Sequence, residues 1–202
     1  MLRDLGAMTD VLAEYRRRLG IWTDIQGHLE FMHGTVLSYD KPVVIELGIQ
    51  AGNSTCALLS AAELAGGVLH SCDIQTREQL GAEKSGGLDR VTWWDHPDWH
   101  TVLGVSDVSD AAQAWMPAEC DVLFVDAAHT KEHVLAEMNA YMPRVKAGGV
   151  ALFHDTQWLA HADTDLGYPG GVVAAAITEY CHAHGLSWEN RPGSYGMGVV
   201  RV

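Results

Sequence analysis

Four short apolar runs each end in a polar, mostly acidic residue, and helical stretches separate them. Val43-Val44-Ile45 runs into Glu46, Val68 to Cys72 into Asp73, Asp121 to Val125 into Asp126, and Val150 to Phe153 into His154-Asp155. Runs this short and this continuously apolar suit strands buried on both faces. Thr101 to Val105 reads as a further strand, followed by Ser106. Between and after the strands, helices are predicted over Ser54–Ala65, Asp107–Met116, Lys131–Met142 and Val172–His184, with Gly66-Gly67, Pro143 and Gly148-Gly149 as breakers. Such alternation predicts an α/β fold, a mostly parallel sheet with helices on both faces. The segments Leu186–Asn190 and Gly196–Val202 read as a terminal hairpin, which gives the sheet an antiparallel edge. Ligands bind such sheets at the carboxyl ends of the strands. Glu46, Asp73, Ser106, Asp126, His154 and Asp155 therefore mark a candidate site on topology alone.

The rest of the chain sets bounds. A length of 202 residues with 48% hydrophobic content suits one domain with a real core. Within residues 1–202, positions 1–40 read as an N-terminal helical cap, with helices at Met8–Leu19 and Asp24–Met32, and 41–202 as the core. A formal net charge of -13 repels phosphate backbones and anionic lipid, so neither nucleic acid nor membrane is expected as a partner. Cys56, Cys72, Cys120 and Cys181 form no C-x-x-C pair and are expected as buried thiols in a reducing compartment. The N-terminus lacks the apolar core of a signal peptide, and no apolar run is long enough to span a bilayer, so the expectation is cytoplasmic. A homodimer through the N-terminal helices is an arrangement the sequence allows.

Glu46-Leu-Gly48-Ile-Gln50-Ala-Gly52-Asn53-Ser54 joins the first strand to a helix. Glycines let a backbone approach a ligand, and the helix start offers N–H groups to an anion. Its spacing is G-x-x-x-G, not the dinucleotide G-x-G-x-x-G, and a plain tight turn is the bland alternative. A carboxylate at Asp73 can accept two ribose hydroxyls, or can be a surface acid. Asp126 and Asp155 at adjacent strand ends repel unless a cation separates them, and hard oxygens favour magnesium, manganese or calcium. His154 is either a third ligand or a core histidine. His129, three residues after Asp126, is either a general base or a helix cap. His70, His133, His182 and His184 lack such context. The cluster Trp93-Trp94 to Trp99 either stacks on a ring or seals the core, and Gln157–Gly171, with Trp158, His161 and Tyr168, reads as a lid.

These residues resemble the class I methyltransferases, from about Val43 onwards, and within them the metal-dependent sugar O-methyltransferases. The most specific match is Asp121-Val-Leu-Phe-Val-Asp126-Ala-Ala-His129 followed by Gly148-Gly-Val-Ala-Leu-Phe-His154-Asp155-Thr156. The resemblance implies a Rossmann-like fold of seven strands. It also implies a magnesium- or manganese-assisted transfer of methyl from S-adenosylmethionine to a hydroxyl of a sugar, glycosylated small molecule or oligosaccharide with adjacent hydroxyls. By the same resemblance Glu46, Gly48, Gln50, Gly52, Asn53, Ser54, Asp73, Ile74, Ser106 and Asp126 contact the cofactor, with Ser54 at the methionine carboxylate, Asp73 at the ribose and Ser106 near the adenine. Asp126, His154 and Asp155 hold the metal, and His129 is the base beside Asp126. The chain departs from the subgroup in having Ala127-Ala128 before the histidine, and histidine rather than an acid at 154. A catechol-type O-methyltransferase and a non-catalytic, cofactor-binding regulator are the alternatives.

Overall fold

Period-two burial along the strands divides the core into two layers. A computed structural model describes residues 5–82, 94–158 and 171–202. Its strands are β1 (Val43–Leu47), β2 (Val68–Asp73), β3 (Trp99–Leu103), β4 (Cys120–Val125), β5 (Val145–His154), β6 (Trp188–Arg191) and β7 (Met197–Arg201). Val44, Val122, Phe124, Val150 and Leu152 face one apolar cluster. Ile45, Leu47, Leu123, Val125, Ala151 and Phe153 face the other. Alternate side chains of a strand point to opposite faces, so both layers come from the same runs.

The helices are α1 (Leu5–Arg18), α2 (Leu29–Leu37), α3 (Asn53–Leu64), α4 (Arg77–Ala82), α5 (Asp110–Trp115), α6 (Lys131–Tyr141) and α7 (Gly171–His184). Helix α3 is buried on nearly every side, from Asn53 through Glu63. It lies over the sheet, and α1 and α2 pack against it. A helix so enclosed needs no polar face, which explains its run of Ala, Leu and Ser. Helices α5, α6 and α7 contribute to the opposite layer.

The strand order is β3-β2-β1-β4-β5-β7-β6. The pairs β1–β2, β2–β3, β1–β4 and β4–β5 are parallel, whereas β7 runs antiparallel to β5 and β6. The chain winds outward from β1 to β3, then restarts at β4 on the other side of β1. That reversal places the ligand crevice at the carboxyl ends of β1 and β4. The expected mixed seven-stranded sheet with its terminal hairpin is therefore present.

Several boundaries differ from the sequence reading. The second helix starts at Leu29, after a 3-10 turn at Gln26–His28, not at Asp24. Strand β3 begins at Trp99, and α5 only at Asp110, which leaves Asp107 in a turn. Strand β5 starts at Val145 and passes through Gly148-Gly149, which lie at a register shift in its pairing with β4. A short helix, α4, lies in the stretch read as irregular. Trp94 and Trp99 stack at 5.0 Å and join the core on the α3 side, so these two seal the core; Trp93 lies outside the described residues. All four cysteines are buried and free. No helix among the described residues is long and apolar enough to cross a membrane.

Two glycines test the packing. A Cβ on Gly48, whose φ is +94°, would lie 2.1 Å from the Asp126 carbonyl oxygen. Gly48→Ala is expected to cost about 2 kcal/mol or more in urea unfolding. Gly34, exposed within α2 with nothing within 4 Å of an added Cβ, is the control: Gly34→Ala should stabilise by about 0.5–1 kcal/mol.

Candidate active site

The loop after β1 turns through three left-handed residues, Gly48 (φ +94°), Gln50 (φ +45°) and Gly52 (φ +73°). Asp73, at the end of β2, holds it from below. The backbone N–H groups of Ile49 and Gln50 donate to Asp73 Oδ2 at 2.8 and 3.1 Å, and that of Gln75 donates to Oδ1 at 2.8 Å. Helix α3 starts directly after Gly52 with no side-chain cap. Its first N–H groups are thus available to an anion. From the other side Arg18, which is 1% exposed, donates to the Ala51 carbonyl at 2.9 Å and to Asn53 Oδ1 at 2.7 Å.

Glu46 faces inward. Its carboxylate accepts hydroxyls from Ser54 (2.7 Å), Thr55 (3.0 Å) and Ser71 (2.6 Å). Burial pushes its carboxyl up to about 7, against the pull of those hydroxyls. Parity explains the direction: Glu46 shares the strand face of Val44, under α3. It joins the start of α3 to β2 and does not line the cavity. Ser54 is correspondingly engaged through its hydroxyl.

Asp126 and Asp155 end the adjacent strands β4 and β5 and meet at one imidazole. His129 Nε2 lies 3.2 Å from Asp126 Oδ1 and 2.9 Å from Asp155 Oδ2. His154 Nδ1 lies 3.4 Å from Asp126 Oδ2 and 3.3 Å from Asp155 Oδ1. Asp155 takes a left-handed φ of +61°, rare for a non-glycine residue. The far nitrogen of His154, Nε2, stands 2.9 Å from the Ser194 carbonyl oxygen. A carbonyl only accepts, so Nε2 carries the hydrogen and Nδ1 is the nitrogen turned to the carboxylates. Burial opposes charge on both histidines, but the paired carboxylates win, raising His129 to about 9 and His154 to about 11. Burial likewise opposes ionisation of both acids, yet the two histidines hold Asp126 and Asp155 below the usual carboxylate range.

A cavity of about 290 Å³ opens between this cluster and the loop. Gly48, Gln50, Asp73, Ile74, Ser106, Asp126, His129 and Asp155 line it. Asn53 and Ser54 border a smaller adjoining cavity, whereas Glu46 and Gly52 line neither. Ile74 is 71% exposed and stands at the mouth, an apolar surface suited to a flat ring. Trp158 meets His129 edge-on at 5.0 Å; His161 and Tyr168 lie outside the described residues.

Sequence reasoning missed Arg18, Asp24, Asp107 and His133. Asp24 lines both cavities, and burial, then the nearby Asp126 charge, raises its carboxyl. His133, read as structural or exposed, lines the larger cavity and contacts Asp107 at 2.9 Å. Only His133 carried a usable signal: it lies four residues before Glu137, on the same side of α6.

The donor set suits a cation. Asp126, His154 and Asp155 offer ligand atoms that all lie within 4.8 Å of one another. The His154–Ser194 contact orients the imidazole as outer-shell hydrogen bonds do for metal-bound histidines.

A doubly wound sheet with a glycine loop, an acid closing the next strand and a site at the switch point defines a Rossmann-like, nucleotide-type binding fold. The profile of the family described as "Methyltransferase domain" matches residues 45–156, more than half of the chain, and the protein belongs to that family. No curated protein sequence matches the chain. Solved structures share the fold at low identity. The Podospora anserina methyltransferase PaMTH1, bound to SAH, has 14% identity over 99% of this chain and 88% of its own, with a TM-score of 0.63. An O-methyltransferase from Bacillus cereus, in complex with SAH, has 13% identity over 100% and 93%, with a TM-score of 0.64. MycE, from the mycinamycin biosynthetic pathway, was solved with Mg, SAH and mycinamycin VI. It has 17% identity and a TM-score of 0.62 over 96% of this chain, which spans 54% of MycE.

The Glu46 network predicts a pH signature. Its folded value of about 7 lies above the usual 4.5, so between those values the folded chain keeps a proton that the unfolded chain has released. The resulting stability is present below the lower value and lost as pH rises through the upper. Relative to Glu46→Gln, the wild type should lose about 3 kcal/mol from pH 4.5 to pH 8 in urea unfolding. Parallel profiles for the two proteins would contradict this.

Proposed function

We propose that this chain transfers the methyl group of S-adenosylmethionine to a hydroxyl of a small molecule or oligosaccharide with adjacent hydroxyls, a sugar or glycosylated compound, with magnesium or manganese assisting. One observation carries the reading: Asp126, Asp155 and His129, with the buried His154 behind them, converge beside a cavity that the glycine loop also lines. Membership of the methyltransferase domain family supports methyl transfer. The SAH, magnesium and mycinamycin VI of the fold relatives support the cofactor, the ion and a small acceptor.

The start of α3, beside Asn53 and Ser54, takes the methionine carboxylate on its N–H groups. Asp73 Oδ2 accepts two backbone N–H groups, whereas Oδ1 accepts one and keeps a second lone pair for a ribose hydroxyl. Ile74 and Ser106 border the adenine. Asp126 and Asp155 give oxygen ligands and His154 Nδ1 a third donor for the cation. When bound, the cation supplies Lewis acidity that lowers the pKa of an acceptor hydroxyl held against it. The charge of a cation held by both carboxylates would weaken their pull on the His129 proton. So relieved, His129 Nε2 would be free to take a proton from the acceptor hydroxyl. Holding oxygen, methyl and sulfur in line supplies much of the remaining rate.

Incubated with S-adenosylmethionine, Mg²⁺ and a panel of sugars and diols, the protein should release SAH, and excess EDTA should stop turnover until Mg²⁺ or Mn²⁺ is restored. His129→Ala should lower turnover by about 10²–10⁴ while SAH affinity stays unchanged. Undiminished turnover in EDTA would remove the cation from the reading, and undiminished turnover in the variant would remove His129 as base.

A further inference from the structure

The cavity has a second ionisable cluster on its α6 side. Asp107 comes from the turn between β3 and α5, and His133 and Glu137 lie one helical turn apart on α6. His133 Nε2 stands 2.9 Å from Asp107 Oδ1 and 3.7 Å from Glu137 Oε1. Glu137 is fully buried, and neither of its oxygens meets a donor unless it shares a proton with the neighbouring Asp107 carboxylate. Asp107 Oδ2 is also buried without a partner, although Oδ1 of the same carboxylate accepts the Val108 N–H at 2.9 Å. With both carboxyls ionised, three buried carboxylate oxygens would lack a donor, which is costly. A fold does not gather them without something to offset the charge.

Two agents can offset it, a proton or a cation. Burial, then a hydrogen bond to the Asp107 carboxylate, pushes the Glu137 carboxyl well above the carboxylate range, so without a cation the pair shares a proton. A proton shared between the two carboxyls still leaves one buried Glu137 oxygen without a donor. The imidazole completes a different set: one nitrogen and two carboxylates, with ligand atoms all within 4.8 Å of one another. Donors bonded to one zinc ion at about 2.0–2.2 Å stand about 3–3.6 Å apart. The separations of 2.9 and 3.7 Å bracket that range.

We propose that Asp107, His133 and Glu137 bind a divalent transition cation, zinc by preference, at a second site distinct from Asp126, His154 and Asp155. His133 and Asp107 line the cavity, so the ion reaches the site from there and keeps a coordination position open towards it. Bound there, it ties α6 to the turn that carries Ser106 and fixes that wall of the cavity. The site stands independently of the methyl-transfer reading.

The test uses the full chain carrying Asp126→Asn and Asp155→Asn, stripped with chelator and titrated with ZnCl₂ by calorimetry and thermal unfolding. One equivalent of zinc should bind and raise Tm. Adding Glu137→Gln, which keeps the shape and removes the charge, should weaken binding at least about tenfold and abolish the Tm shift. His133→Ala, on a partly exposed side chain, carries the same expectation should the glutamine variant not fold. Absence of stoichiometric zinc in the double variant, or zinc binding unchanged by Glu137→Gln and His133→Ala, overturns the proposal. The second outcome would identify the cluster as a proton-sharing carboxyl pair and the zinc as bound to other histidines.

Discussion

Two carboxylates at the ends of neighbouring parallel strands repel each other, and the mouth of the cavity is organised around that repulsion. Adjacent strands stand about 4.8 Å apart, and like charges at about 4 Å cost on the order of 4 kcal/mol near a protein surface. Asp126 and Asp155 are nonetheless both present, with His129 touching each and His154 beneath them. Asp155 accepts a left-handed backbone to reach this position. Strain of that kind costs about 1–3 kcal/mol and persists where the surroundings fix it. The paired histidines offset the charge as the side chains stand, and a divalent cation does so more completely. The same four residues therefore link the electrostatics of the fold to the chemistry proposed for it.

The glycine loop is the second half of the construction and depends on the first. Gly48 passes so close to the Asp126 carbonyl that no side chain fits between them, which brings the loop beside the acid cluster. Asp73 holds the loop from the sheet, and Arg18 holds it from α1. The N-terminal helices thus do more than cover apolar surface. By burying α3 on its outer side they bring a guanidinium to the loop and an aspartate, Asp24, to the cavity.

What could be read beforehand follows the range of the interactions. Strands β1, β2, β4 and β5 announce themselves as local apolar runs, and their polar ends lie where such sheets bind ligands. Glu46 had the right position and the wrong direction, although parity with Val44 already placed it under α3. Arg18 and Asp24 escaped notice because they meet the site across separations that leave no local pattern; Arg18 reaches Asn53, 35 residues on. His133 lacks context in the sequence, and only the turn at Asp107, set free by the late start of α5, joins it and Glu137 into a cluster. Strand β5 continues across Gly148-Gly149 because the backbone groups of both glycines bond to Val202, at the end of the antiparallel β7, where its pairing with β4 shifts register.

The central claim is spatial: a cation held by Asp126 and Asp155 shares one cavity with the cofactor. Paramagnetic relaxation of bound SAH by Mn²⁺, read from the SAH proton signals by NMR, measures that proximity directly. The account predicts strong relaxation in the wild type that is greatest for the homocysteine protons and is lost in Asp155→Asn. Equal relaxation in both proteins, or none in the wild type at saturating Mn²⁺, would contradict it.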